Sequence, residues 1–462
     1  MVVFASVHTA WYSCEFRYPS EYMFALAAAT RYFGGELERL TYRYERNLAM
    51  RFSAIWLFVC GNLFLFAAAG ARADEIALPS FKAQTIDDNV RIGYGTAIGD
   101  VDGDGKPDIL LVDKKQIVWF QNPPQGSPET SKWKRHVIVE NLTVRDNVCI
   151  AARDIDGDGK VEIAVGGQWN PGDTYRSGSV HYLVAPEDRT KKWKPIKLYN
   201  EPVIHRMRWQ KVGENRFLLL VAPLHGKGNR GGKGVGVKLL AYRQPADGGL
   251  LWKRAIVDDT LHVTHNLDPV QWDPGTPAEE ILYAGREGAM LIYYDRGEWI
   301  KKKLPRVQGA GEIRMGLLSK AQPYIVTIEP LHGNKLVFYK SGFARDRAAS
   351  ASNDPAAIES RIVLDDNLSG GHAIATADLF GNGSQQIVAG WRLPNRDKKV
   401  GIKLYYPTNK GATTWKSMVI DDNGMACEDI RIGDLNGDGR PDIVAAGRAT
   451  NNLKIYWNQA PK

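Results

Sequence analysis

The sequence predicts an all-β protein, a seven-bladed β-propeller closed by an outer strand from its N-terminal side. Three observations lead to this prediction. A short acidic loop recurs at a regular spacing, short apolar and aromatic runs typical of β-strands separate the loops, and no long amphipathic helical pattern interrupts them. Four short strands per repeating unit are typical of a propeller blade. A pair of β-sandwiches is the alternative, but it would not keep one spacing along the whole chain.

The recurring loop first stands at 100–108, with the sequence Asp-Val-Asp-Gly-Asp-Gly-Lys-Pro-Asp. It returns at 154–162 and 434–442, and a copy with fewer acidic residues stands at 378–386. The leading Asp residues are 54 positions apart in the first pair and 56 in the last, and the central gap of 224 is four times 56. Three unmarked units therefore fit in the gap, which gives seven units in all.

Alternating carboxylates on a glycine-containing turn are ligands that Ca²⁺ prefers. The loop is not an EF-hand, because Leu111 stands where the bidentate Glu would be and the flanking residues are typical of strands. We expect the three acidic copies to hold structural Ca²⁺, or Mg²⁺, at hairpin tips, and the copy that begins at Asp378 to hold no metal. The expected ligands are Asp100, Asp102, Asp104, Asp108, Asp154, Asp156, Asp158, Glu162, Asp434, Asn436, Asp438 and Asp442.

The segment 81–87 reads as the outer strand of a blade that lacks inner strands at this end of the chain. We expect it to pair with the strand around 453–457 and so complete the last blade. This pairing would close the ring and remove an open sheet edge.

Residues 50–73 have the parts of a secretory signal peptide: a start at Met50 followed by Arg, an apolar run, and an Ala-x-Ala motif that ends at Ala73. The apolar run is shorter than the roughly 20 residues of a membrane-spanning helix. We therefore expect residues 1–49 to be a misassigned extension, and 74–462 to be an exported chain, secreted or periplasmic, that has no membrane span.

The charge of the predicted mature chain is mild. Residues 1–73 contain 7 Lys and Arg and 5 Asp and Glu, and removing them from the totals of 60 and 52 leaves a net charge of +6. No basic run with interleaved aromatic residues indicates a nucleic-acid partner. Cys149 and Cys427 lie in blades that are not neighbours, so we expect two free, buried thiols.

A second group of residues falls on the face opposite the acidic loops. In a propeller the acidic loops join the first and second strands of a blade, so the starts of the innermost strands lie at the other end. Many histidines of this chain fall at those starts or in the loops between second and third strands. Such side chains at a channel mouth could form a transition-metal site or an acid–base pair. The candidate catalytic residues are His205, His225, His265, Glu312, Arg314, His332 and His372.

Two families resemble this sequence. The acidic hairpins resemble FG-GAP/VCBS repeats, the blades of integrin α-subunit propellers. Gly166-Gly-Gln-Trp-Asn, Ala222-Pro-Leu-His-Gly, Val263-Thr-His-Asn-Leu-Asp and Glu329-Pro-Leu-His-Gly resemble the propeller module of aldos-2-ulose dehydratase. That resemblance implies metal-dependent elimination of water from ketosugars such as 1,5-anhydrofructose. Cupin domains follow the propeller in that family, and we expect none in this sequence.

Two functions follow as expectations. The first is an exported, calcium-stabilised propeller whose His/Glu/Arg-rich face acts on a carbohydrate, as a ketosugar dehydratase (a carbon–oxygen lyase) with a second divalent metal at that face. The alternative is a non-catalytic propeller that binds a glycan or a protein.

Overall fold

The computed structural model describes residues 77–245, 249, 251–343 and 354–460. The expected extension at 1–49 and the expected signal peptide at 50–73 lie outside the described residues. Within the described ranges every regular element is a β-strand. No helix in this part of the chain is long and apolar enough to cross a membrane.

The strands are numbered β1 to β28 in chain order, and they form seven four-stranded sheets. The first three blades contain β2 (Gly95–Gly99), β3 (Asp108–Val112), β4 (Gln116–Gln121), β5 (Lys134–Glu140), β6 (Cys149–Arg153), β7 (Glu162–Gly167), β8 (Ser179–Val184), β9 (Lys194–Leu198), β10 (Ile204–Gly213), β11 (Arg216–Pro223), β12 (Leu239–Arg243) and β13 (Lys253–Asp258). The next three contain β14 (Thr264–Val270), β15 (Glu280–Gly285), β16 (Gly288–Asp295), β17 (Glu298–Lys303), β18 (Glu312–Ser319), β19 (Gln322–Glu329), β20 (Lys335–Ser341), β21 (Ile358–Asp365), β22 (Gly371–Ala377), β23 (Gln386–Trp391), β24 (Gly401–Pro407) and β25 (Trp415–Asp422). The seventh contains β26 (Cys427–Gly433), β27 (Asp442–Gly447), β28 (Leu453–Gln459) and β1 (Ser80–Asp87).

The innermost strands of the seven blades surround one axis. Each contacts the innermost strand of the blade before it and of the blade after it, in the closed order β2, β6, β10, β14, β18, β22, β26 and back to β2. Within each blade the strands are antiparallel neighbours. The prediction of a seven-bladed β-propeller is confirmed.

The ring is joined through the seventh blade. β1 runs antiparallel to β28, from Ser80 opposite Gln459 to Asp87 opposite Leu453. The indole Nε1 of Trp457 also donates a 2.8 Å hydrogen bond to Oε1 of Gln84 on β1. The backbone groups of β28 are thereby paired on both sides, which is the pairing expected from the sequence.

The core lies between adjacent blades. Every residue of β3, β7, β15, β23 and β27 is buried, because each blade is covered on both faces by its neighbours. These strands consequently read as continuous apolar runs, without the alternation that a half-exposed strand would show. Cys149 and Cys427 are free and buried, so that prediction is confirmed.

Candidate metal centre at the channel mouth

The site begins with an irregularity that four innermost strands share. The pairing register shifts between Ile204 and Arg206, Thr264 and Asn266, Gly371 and Ala373, and Cys427 and Asp429. A β-bulge adds one residue to a strand and re-aims its side chain. The residues skipped in the four registers are His205, His265, His372 and Glu428.

The bulges bring histidines from different blades into contact. We call His205, His265, His332 and His372 the imidazole cluster. The ring of His265 lies 4.5 Å from His205, 4.3 Å from His332 and 5.1 Å from His372, measured between centroids. The rings of His332 and His372 stack at 4.9 Å. His332 is the exposed member, whereas the other three are buried.

The fifth blade supplies its imidazole by a different route. Gly311 immediately precedes β18, and a Cβ atom on it would lie 2.1 Å from the carbonyl oxygen of Leu331. Only glycine leaves space for this close approach of the loop between β19 and β20. The loop then places His332, the residue after Leu331, beside His265.

Backbone carbonyls orient two of the imidazoles. Nδ1 of His265 donates to the carbonyl oxygen of Gly311 at 2.7 Å, and Nδ1 of His372 donates to that of Glu428 at 2.6 Å. With the proton held on Nδ1, Nε2 keeps its lone pair. Nε2 of His332 lies 2.5 Å from Nε2 of His265. One ligand nitrogen from each of His265, His332 and His372 falls within a group whose atoms are all within 4.8 Å of one another.

The protonation state of the cluster suits a metal ion. Burial lowers the pKa of His265 and of His372 well below the usual value, and nearby arginines lower both further. Neutral imidazole is the form that binds metals, and a hydrogen bond from its other nitrogen is the usual supporting contact. Three neutral imidazoles therefore fit a transition metal such as zinc.

His205 has a different environment from the three potential ligands. Its ring stacks on Trp169 at 4.9 Å, and both of its ring nitrogens are buried without a hydrogen-bond partner in the described residues. Burial lowers the pKa of His205 well below the usual value, and Arg206 lowers it further. The imidazole of His205 is therefore neutral and can accept a proton, and its lowered pKa makes it a weaker base than a free imidazole.

Two buried glutamates border the cluster, each between two arginines. Oε1 of Glu312 lies 3.2 Å from Nδ1 of His265 and 3.6 Å from Nη2 of Arg206, and Oε2 lies 3.7 Å from Nη2 of Arg314. Asn266 also donates to Oε2. Burial raises the pKa of Glu312, and the two arginines oppose that rise.

The second glutamate, Glu428, lies beside His372. It accepts hydrogen bonds from Nη1 of Arg392 at 2.8 and 2.9 Å and from Nη1 of Arg448 at 3.0 Å. Four guanidinium groups thus contact two carboxylates around neutral imidazoles, and these groups alone give the site a net positive charge.

Two family models match parts of the chain. Residues 177–341 match the family model for the beta-propeller domain of aldos-2-ulose dehydratase. This stretch contains six of the seven candidate catalytic residues, and His372 lies beyond it. Residues 100–165 and 378–445 match the FG-GAP-like repeat. Both resemblances predicted from the sequence are confirmed. No curated protein matches the chain significantly.

Several solved structures are similar to the chain at low identity. YCF48 bound to D1 peptide has 13% identity and a TM-score of 0.45, with 82% of this chain and 96% of that chain covered. The extracellular domain of the hybrid two component system BT4673 from B. thetaiotaomicron has 10% identity and a TM-score of 0.48, with 83% and 40% covered. BBS1N in complex with ARL6DN has 11% identity and a TM-score of 0.49, with 84% and 98% covered.

The structure does not bring all seven candidate catalytic residues together. His205, His265, His332, His372 and Glu312 form one connected group, and Arg314 joins it through Glu312. The expectation that His225 joins the same pocket is not met, because it lines a separate cleft with Tyr175 and Arg230. Sequence reasoning missed Arg206 and Gly311, whose roles depend on the bulges and on the path of one loop.

The acidic loops of the FG-GAP-like repeats lie at the opposite ends of the innermost strands. Asp100, Asp102 and Asp108 bring their carboxylate oxygens within 4.8 Å of one another, and Asp154, Asp156 and Glu162 do the same. In the third loop, Asn436 donates to Asp438, and the acids of that loop form no such group in the searched, described residues.

Backbone amides already hold the loop carboxylates. Asp100 accepts from the amides of Gly103 and Gly105 at 2.6 and 2.8 Å. Asp378, in the copy with fewer acidic residues, accepts from the amides of Asn382 and Gly383 at 3.0 and 2.7 Å. The same turn therefore forms whether or not the loop carries a full set of acidic side chains.

Proposed function

We propose that the imidazole cluster binds a divalent transition metal and that this face eliminates water from a carbohydrate that carries a carbonyl group. One observation carries the proposal: Nε2 of His265 and of His372 is left with a lone pair beside His332, because backbone carbonyls hold both Nδ1 atoms. The match to the propeller domain of aldos-2-ulose dehydratase supports a carbohydrate substrate.

His265, His332 and His372 would hold the metal, which when bound supplies a Lewis acid for the sugar carbonyl. His205 accepts the proton from the carbon next to the carbonyl. The C–H electron pair forms the new C=C bond, and the C–O bond to the adjacent hydroxyl-bearing carbon breaks. The imidazolium of His205 then returns the proton to the departing oxygen, so that one molecule of water leaves.

The surrounding residues orient the sugar. Trp169, which is half-buried, is an aromatic surface against which a sugar ring can pack, whereas Tyr94 is buried. Nη1 of Arg392 donates to both carboxylate oxygens of Glu428, and this contact positions a guanidinium whose other N–H groups can donate to a sugar hydroxyl. Glu312, between Arg206 and Arg314, accepts a proton or a hydroxyl hydrogen at the buried end of the site.

The test combines metal analysis with turnover. The purified protein is loaded with zinc, dialysed and measured for bound metal by mass spectrometry, and elimination from 1,5-anhydrofructose is followed by the ultraviolet absorbance of the unsaturated product. We expect His332→Ala to lose both the metal and the turnover. His262→Gln, a histidine on the same face that pairs with Glu287, is the matched control and should retain both. Zinc content unchanged in His332→Ala would overturn the proposal.

A second candidate function is favoured by the match to FG-GAP-like repeats. In this case the same face binds a glycan or a protein and turns nothing over. Loss of affinity in small steps over several substitutions, with no elimination by the wild-type protein from any ketosugar, would select this function.

We propose that the acidic loops hold structural Ca²⁺. The carboxylate groups of the loops that begin at Asp100 and Asp154 support this, since calcium takes six to eight oxygen ligands from such turns. For the loop that begins at Asp434 the proposal rests on its sequence. Calcium content after chelation and reloading, measured in the wild type and in Asp154→Ala, tests these sites.

We also propose that the chain is exported and cleaved near Ala73. The apolar run and the Ala-x-Ala motif of the sequence support this. N-terminal sequencing of protein recovered from outside the cytoplasm should begin at Asp74, and recovery of an uncleaved chain would contradict it.

A further inference from the structure

A cleft of about 620 Å³ lies beside the imidazole cluster, between loops of the second and third blades. Its lining includes Asp173, Tyr175 and Arg176 from the loop between β7 and β8, and His225 and Arg230 from the loop between β11 and β12. The volume is in the range of small-molecule sites.

Two chain segments connect the lining of the cleft to the proposed metal centre. Trp169 lies two residues before Pro171, where the lining of the cleft begins, and its ring stacks on His205. His225 forms an isolated β-bridge with Val263, two residues before His265. The cleft and the imidazole cluster are therefore neighbours on the same face of the propeller.

The wall formed by the third blade has a fixed shape. Asn229 accepts the amide of Gly232 at 2.9 Å and donates to the carbonyl oxygens of Val235 and His262. Arg286 donates to the carbonyl oxygen of Gly231 at 2.9 Å. Gly232 has a φ of +80°, a left-handed backbone conformation that favours glycine. The wall is therefore preformed rather than assembled on binding.

The charges of the cleft are mostly positive. Arg176 and Arg230 line it, and the exposed Lys227 and Lys233 belong to the same loop as Arg230. The guanidinium of Arg230 makes no ion pair within the described ranges. The carboxylate of Asp173 is held by the amides of Tyr175 and Arg176, at 3.1 and 3.0 Å, and it also lies 3.7 Å from Nε of Arg176, so these two charges offset each other.

We propose that the preferred substrate is an anionic sugar, whose carboxylate or phosphate group binds in this cleft while its carbonyl end reaches the imidazole cluster. This inference rests on the proposed function. Arg230 binds the anion with charge-assisted hydrogen bonds, which a guanidinium makes to carboxylate or phosphate in paired form. The ring of Tyr175, 59% exposed, offers an apolar surface to the sugar between the two ends. The arginines at the channel mouth outnumber the glutamates, so their net positive charge also attracts an anionic sugar.

The test is calorimetric binding to the zinc-loaded protein of three probes: a hexuronate, a hexose 6-phosphate and the neutral hexose. We expect at least one anion to bind about tenfold or more tightly than the neutral sugar, and the preference to weaken as salt is raised. Arg230→Ala should remove this preference. Arg243→Ala, which removes an exposed arginine from β12, is the control and should preserve it. The hexuronate and the phosphate distinguish the two sources of the anionic group.

The outcomes separate this inference from the proposed function. Equal binding of neutral and anionic sugars, or a preference that survives Arg230→Ala, overturns the inference and leaves elimination at the metal centre intact. An anion preference that depends on Arg230 in a protein that binds no metal and turns nothing over supports the cleft and overturns the proposed function.

Discussion

The polar side chains at the two ends of the innermost strands differ in how fully they are hydrogen-bonded. At the acidic end, Asp100 and Asp378 each accept hydrogen bonds from two backbone amides. The carboxylates are therefore hydrogen-bonded within their own turn. At the other end, both nitrogens of His205 are buried without a partner in the described residues. Buried polar groups are nearly always hydrogen-bonded, so an exception requires an explanation. The repeated motif thus satisfies its own polar groups, whereas a departure from the repeat leaves a buried imidazole without a partner in the described residues.

The largest expected effect comes from removing the unpartnered imidazole. We expect His205→Gln to reduce turnover by about 10²–10⁴-fold, the usual contribution of a general base, because glutamine cannot accept the proton. Bound zinc should stay at the wild-type level, since His205 is not one of the three proposed ligands. Stopped-flow or steady-state absorbance measures turnover, and a rate within a factor of a few of wild type would remove His205 from the reaction.

The next largest effect, on zinc affinity, concerns the position of His332 in the fifth blade. In Gly311→Ala the new methyl group would meet the carbonyl oxygen of Leu331, so the loop that carries His332 has to shift. We expect zinc affinity to fall about 10–100-fold, as when a supporting contact of a ligand is lost. Gly411→Ala is the control, because a Cβ atom there meets only Thr413 at 3.7 Å. Competition with a metal indicator measures the affinity, and equal affinities in the two variants would contradict this account of His332.

Calcium removal tests the acidic end separately. A ligand that binds only the folded state stabilises it by about 2.7 kcal/mol at 100 times Kd, so chelation should lower the Tm of the wild type. In Asp100→Ala the change in Tm on adding or removing calcium should be smaller than in the wild type. Zinc binding at the imidazole cluster should stay unchanged throughout. A Tm that does not respond to calcium would show that the loops fold without it.

The smallest effect is expected in the loop with fewer acidic residues. Asp378→Ala removes the carboxylate that accepts hydrogen bonds from two backbone amides, and it should lower the free energy of unfolding by about 1 kcal/mol. Because we expect no metal there, its response to calcium should equal that of the wild type. Denaturant unfolding at high and low calcium measures both quantities, and a reduced calcium response would assign a metal to this loop as well.

The number of blades could be predicted because the gap of 224 residues between Asp154 and Asp378 is four times the 56-residue spacing of the last pair of acidic loops. The site was harder to predict, as His225 and His332 show. Both follow the sequence Pro-Leu, and both were expected at one pocket. In the fifth blade, glycine at 311 leaves a position that His332 fills. In the third blade, His205 occupies the bulge itself, and His225 lies in the neighbouring cleft. Such differences depend on bulges and loop paths, which local sequence does not specify.

The central claim is that three imidazoles from the fourth, fifth and sixth blades bind one metal ion. X-ray absorption at the zinc edge of the zinc-loaded, calcium-saturated protein tests it most directly. The account predicts scattering from about three imidazole rings at Zn–N distances of about 2.0–2.1 Å, and loss of this signal in His332→Ala. A spectrum dominated by carboxylate oxygen, and unchanged by that substitution, would contradict it.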